Sequence, residues 1–144
     1  MRIEQKKNNL TILNQFNCLV TPKINPILSK YFQNLTGINQ SQIIAEGIKF
    51  KNALNNINNY ILDEKIILCN GNDGEIFREN CVLNDLEYPK WTDNVFNIRP
   101  FFTKLLNINP KNFISSNLPA LAGINNNNKS HNALDDCSSI SIAL

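Results

Sequence analysis

Residues 65–83, KIILCNGNDGEIFRENCVL, decide the fold. The run from Ile66 to Cys69 is short and nearly all apolar, the pattern of a strand covered on both faces. It ends in NGND, where Asn and Gly favour a turn. GEIFRENCVL then reads as a helix with Ile76, Phe77 and Cys81 turned inward. A buried strand feeding straight into a helix is the unit from which α/β folds are built.

Working outward supports that class. Upstream, FKNALNNINNYIL (50–62) repeats Phe50, Ala53, Leu54, Ile57 and Ile61 at three- and four-residue spacing, one apolar face of a helix. PILSKYFQNLTG (26–37) predicts a shorter helix with Pro26 near its start and Gly37 near its end. MRIEQ (1–5) and LTILNQFNCLV (10–20) flank KKNN and predict a hairpin turning on its Asn pair. Downstream, Glu87 to Asn117 reads as irregular apart from a short helix in RPFFTKLL (99–106). The chain closes on HNALDDCSSISIAL (131–144), where Ala133, Cys137, Ile140 and Leu144 lie at i, i+4, i+7 and i+11 of an amphipathic helix.

The chain has 144 residues, 42% of them hydrophobic, which suits one domain with one core. A net charge of +2 with 18% charged residues provides no basic stripe for docking along a duplex, though it leaves room to grip a few terminal nucleotides. Cys18, Cys69, Cys81 and Cys137 form no C-x-x-C pair, and one histidine cannot complete a zinc site among them. Reduced, buried thiols in a cytoplasmic chain are the expectation. The longest apolar run is far too short to span a bilayer, and MRIEQKKNNL carries no secretion signal.

The sole histidine, His131, precedes Asp135 and Asp136 and follows an Asn-rich stretch, Asn125 to Asn128 with Lys129 and Ser130, that reads as a mobile loop. At about 100° per residue, His131 and Asp136 would stand roughly 140° apart on one ideal helix, so an imidazole inside the helix could not work beside that carboxylate. His131 must therefore come from the loop, free to approach a water while Asp136 is held. The bland reading stays open: His131 exposed near a helix start, with Asp135 and Asp136 serving the helix dipole.

HNALDDC (131–137) resembles the third motif of the DEDDh-type 3'-5' exonucleases, in which a histidine is followed five residues later by a metal-binding aspartate. FNCLVTPKINPILSKYFQNLTGINQSQI (16–43) is similar to the family's strand, V-x-P and helix ending in LTGI. IILCNGNDGEIFRENCVL (66–83) resembles the second motif, with Asp73 opening the helix. The resemblance spans nearly the whole chain and implies an RNase H-like mixed sheet flanked by helices. It also implies Asp73 and Asp136 as ligands of Mg2+ or Mn2+, His131 as general base, and single-stranded RNA or DNA as substrate. Two ions about 3.5 to 4 Å apart clamp the scissile phosphate in that chemistry. Capping is the alternative for Asp73, and Asn72 beside it could cap as well. Tyr88, Trp91, Phe101 and Phe102 could stack on bases, but packing is the simpler role and no site is assigned to them. Lys129 reads as a solvated loop residue.

The family's first motif, a D-x-E pair on the opening strand, has no counterpart here. MRIEQKKNNLTILNQF aligns with the family's second and third strands, and the residue two before Glu4 is Arg2. The expectation is one exonuclease-like domain over 1–144, N-terminally truncated relative to the family, as a truncated reading or a decayed copy. Its sheet should miss the first central strand, between the hairpin and KIILC, with each orphaned backbone group costing about 1 to 3 kcal/mol. Two carboxylates should hold at most one ion, weakly. A catalytically inactive remnant or a nucleic-acid-binding module of the same fold is therefore the second reading.

Overall fold

The computed structural model describes residues 1–7, 9–61, 66–121, 123–125 and 131–143. Most of the Asn-rich loop, Lys129 and Leu144, the last position of the helix expected from the sequence, lie outside the described residues. The chain divides into two compact units, Cys18–Phe102 and Met1–Asn17 with Thr103–Leu144.

In the Cys18–Phe102 unit, a parallel bridge ties Val20 to Ile48, with Ile48 N donating to Leu19 O and Thr21 N donating to Ile48 O. Helix α1 (Lys30–Thr36) starts four residues beyond the expected Pro26, where Ser29 Oγ supplies the cap by accepting from Phe32 N, and stops at Gly37 in the left-handed region, φ 73°. Helix α2 (Gln40–Glu46), which the sequence reading did not foresee, opens on a capping box: Asn39 accepts from Gln42 N and Gln42 reaches back to Asn39 N. Its end packs on the V-x-P segment through Gly47, where a Cβ would fall 2.3 Å from Ile43 O and 2.6 Å from Thr21 Oγ1. No larger residue fits that approach without movement. Helix α3 (Phe50–Ile61) follows the predicted face, burying Ala53 and Leu54.

The deciding stretch forms β3 (Ile67–Cys69) and α4 (Asp73–Leu83). Strand β4 (Val95–Asn97), inside the region read as irregular, pairs with β3 in parallel register, Ile67↔Val95, Leu68↔Phe96 and Cys69↔Asn97. Two expectations need correction. The strand is not covered on both faces: Leu68 is 39% exposed, its partner Phe96 is also open to solvent, and Ile66 just before it is 65% exposed. In α4, Cys81 is fully buried and Phe77 half-buried, but Ile76 faces solvent. Phe77 turns α4 toward Phe50 and Trp91, at centroid distances of 5.4 and 4.9 Å, and that packing selects the inward face. Trp91 also donates to Asn58 Oδ1 at 2.8 Å, so it is a packing residue.

In the other unit, β1 (Arg2–Lys6) and β2 (Asn9–Asn14) make the predicted antiparallel hairpin, with β2 shorter than expected and a register irregularity between Arg2 and Ile3. Helix α5 (Arg99–Leu105) covers the expected RPFFTKLL helix and reaches this unit at Thr103. Short helix α6 (Leu118–Leu121), unforeseen, packs with the turn Ser115–Asn117 against α7 (Ala133–Ala143). Phe113, Leu118, Pro119 and Ser139 are the most buried side chains there. The amphipathic face predicted for α7 is displaced: Ala133 is exposed, Cys137 and Ile140 are half-buried, and the buried residues are Ser139 and Ser141. Small hydroxyl side chains let α7 approach closely, and Ser141 Oγ satisfies itself on Ser138 O at 2.8 Å. The described strands thus form two two-stranded ladders, β1–β2 and β3–β4.

Candidate active site

Asp73 opens α4, and its side chain is exposed. It is not the cap. Asn72 holds the N-cap position, makes no side-chain cap bond, and accepts only the first helical bond, from Ile76 N to Asn72 O at 3.0 Å. The turn between β3 and α4 is held instead by Arg99, whose Nε donates to Asn70 Oδ1 at 3.1 Å and whose Nη2 donates to Asn70 O at 2.7 Å. Cys69 beside the turn donates its thiol to Gly71 O, and burial, reinforced by the Asp73 carboxylate, pushes that thiol above its ordinary range. It is therefore a neutral neighbour. A polar cleft of about 260 Å³ lies along the turn, lined by Cys69, Asn72, Glu75 and Asn97 among others. Glu75 and Asp93 on its rim are committed to Arg78, at 3.0 and 2.5 Å.

His131 and Asp136 belong to the second unit. Asn132 caps α7, accepting from Leu134 N at 3.1 Å and Asp135 N at 3.2 Å, while Asp136 N donates to Asn132 O at 2.8 Å. His131 stands outside the helix, as its spacing requires, exposed and with φ of 63°. That left-handed angle is uncommon for a residue other than Gly and turns the chain sharply into the cap. Asp136 sits half-buried in the first turn. Asp73 belongs to the Cys18–Phe102 unit. Glu4 is a half-buried partner of Lys6 at 3.0 Å.

The donors fit a hard divalent ion in kind, since carboxylate oxygens are what Mg2+ and Mn2+ take. They fall short in number: among the described residues, no group of three or more His, Cys, Asp or Glu is assembled to hold a metal ion. The residues that sequence reasoning missed are Asn70 and Arg99, whose pairing depends on strand β4.

The profile of the RNase_T family, described as exonuclease, matches residues 1–143. The chain belongs to the exonuclease family. The nuclease domain of 3'hExo, a DEDDh family member, in a crystal structure bound to rAMP, superposes with a TM-score of 0.79 at 26% identity, over 91% of this chain and 70% of that one. A 3'-exonuclease in a structure of 3'-end specific recognition of histone mRNA stem-loop gives 0.76 at 25% identity, over 91% and 48%. A full-length 3'-exonuclease gives 0.74 at 24% identity, over 85% and 58%, a likeness of fold. No curated protein sequence matches the chain. The exonuclease chain is thus a DEDDh-type relative with an RNase H-like α/β fold. Among the described residues, no helix is long and apolar enough to cross a membrane.

Proposed function

We propose that the chain is a metal-dependent 3'-5' exonuclease that releases nucleotides from single-stranded RNA or DNA ends, with Asp73 and Asp136 as metal ligands and His131 as general base. The observation that carries the reading is the start of α7, where an exposed imidazole precedes a cap made by Asn132 and an aspartate follows one turn later. Because Asn132 satisfies the helix start, neither aspartate is needed to cap it. Mg2+ or Mn2+, when bound, supplies Lewis acidity at the scissile phosphate. The chain's part is to present two carboxylates on rigid helix starts and to take a proton from the attacking water at His131. The same proposal treats residues 1–144 as one exonuclease-like domain acting in the cytoplasm.

The second reading, a catalytically inactive remnant or a nucleic-acid-binding module of the same fold, is favoured by one observation: among the described residues, no group of three or more His, Cys, Asp or Glu is assembled to hold a metal ion. Purified protein incubated with Mn2+ and an end-labelled single strand separates the two, with His131→Ala as control. Stepwise shortening above the control supports the exonuclease. Strand binding with no shortening above it rejects the enzyme in favour of the module.

A further inference from the structure

We propose that Arg99 is a positioning residue that aims the Asp73 carboxylate by clamping the turn between β3 and α4. The inference rests on the reading of Asp73 as a metal ligand and deepens it. The parallel register Cys69↔Asn97 places β3 and β4 side by side where both strands end, and the ladder continues one step further through Ile98 N donating to Cys69 O at 2.9 Å. Arg99 is next along, opposite Gly71. Asn97 Oδ1 accepts from Arg99 N at 3.0 Å, so the main chain of Arg99 is itself anchored at the start of α5. From there the half-buried guanidinium reaches both the side-chain and main-chain oxygens of Asn70.

The guanidinium and the carboxylate both approach Gly71. A Cβ placed on Gly71 would lie 3.8 Å from Arg99 Nη2 and 3.9 Å from Asp73 Oδ2, so guanidinium and carboxylate flank the same point of the turn. A planar guanidinium holding two oxygens of one residue fixes an orientation, which a single ammonium cannot. Asn72 adds no side-chain bond of its own at the helix start. Alongside the Cys69 thiol on Gly71 O, the Arg99 fork holds the orientation of the turn.

The test uses the full chain and its variants Arg99→Met, Arg99→Lys and Asp73→Asn, with two readouts other than catalysis. Amide exchange across residues 70–74 is followed in metal-free protein, and Mn2+ binding is followed by electron paramagnetic resonance. Arg99→Met is expected to speed exchange in the turn about tenfold while the buried amides of α3 exchange as before. It should weaken Mn2+ binding by about tenfold, the scale seen when a group supporting a ligand is removed. Arg99→Lys keeps the charge but not the fork and should fall with Arg99→Met. Wild-type exchange and Mn2+ binding in Arg99→Met overturn the proposal. If Arg99→Met does not fold, Arg99→Lys decides, and wild-type behaviour there overturns it equally. Asp73→Asn separates this failure from that of the wider reading: unchanged Mn2+ binding in Asp73→Asn removes Asp73 from the ligands, while the exchange data still report whether Arg99 holds the turn.

Discussion

Helices α4 and α7 both begin beside an Asn followed by an acidic first turn, yet the two starts are built differently. At α7, Asn132 takes two main-chain amides on its side chain, and the start is complete within four residues. At α4, Asn72 takes none, and the turn ahead of it is held by Arg99 through Asn70, 29 residues away in sequence. One aspartate is presented by a local cap, the other by a tertiary clamp. Similar sequence signatures therefore need not have a common physical origin.

The sharpest way to break the comparison is at the proposed base. His131→Ala is expected to lower strand shortening by about 10² to 10⁴-fold, the range for a lost general base, with thermal unfolding little changed because the side chain is exposed. Asp136→Asn should abolish activity in the same end-labelled assay and Asp135→Asn should not, which separates the ligand from its neighbour on the one helix start. Next in size is the core of the unit that holds α7. Phe113 is 0% exposed, and Phe113→Ala should cost about 3 to 5 kcal/mol, read from the midpoint of urea unfolding. The caps themselves give a smaller contrast: Asn132→Ala should cost about 1 kcal/mol, whereas Asn72→Ala should change stability by no more than a few tenths, and equal losses would erase the distinction drawn above.

The smallest effect concerns the thiols. Burial raises Cys18, Cys69 and Cys81 above the ordinary thiol range, with Asp73 adding to the effect at Cys69. A thiol whose folded pKa is raised contributes stability that is fully present below its unfolded pKa, about 8.5, and is lost as pH rises through the folded value. Unfolding midpoints should therefore fall on the alkaline side and stay level below it. Serine at all three positions should flatten that slope. A slope unchanged in the triple variant would assign it to other groups.

Legibility followed the reach of the interactions. The hairpin, α1, α3, α4 and α7 could be read because each is signalled by residues within a turn or two: Gly37 ending α1, the face of Ala53 and Leu54 along α3, the NGND turn before α4. Helix α2 carried its own signal in Asn39 and Gln42, and that signal was missed. The placement of His131 outside the helix came from helical phase alone. By contrast, VFN at 95–97 is three residues long and has no periodicity to read, so β4 exists only through its ladder with β3. The buried face of α7 was misjudged because Ser139 and Ser141 owe their burial to the elements they pack against.

By itself the sequence determined helices α3, α4 and α7, the end of α1 at Gly37, the α/β class, and which acidic residues and which imidazole stand at helix starts. These depend on hydrogen bonds and apolar spacing within about four residues, energies that any local stretch carries with it. Only the tertiary structure decided that β4 lies beside β3, that Arg99 reaches Asn70, and that small hydroxyl residues fill the inner side of α7. Those outcomes depend on which distant segments are brought together, and no local pattern encodes the free energy of that meeting.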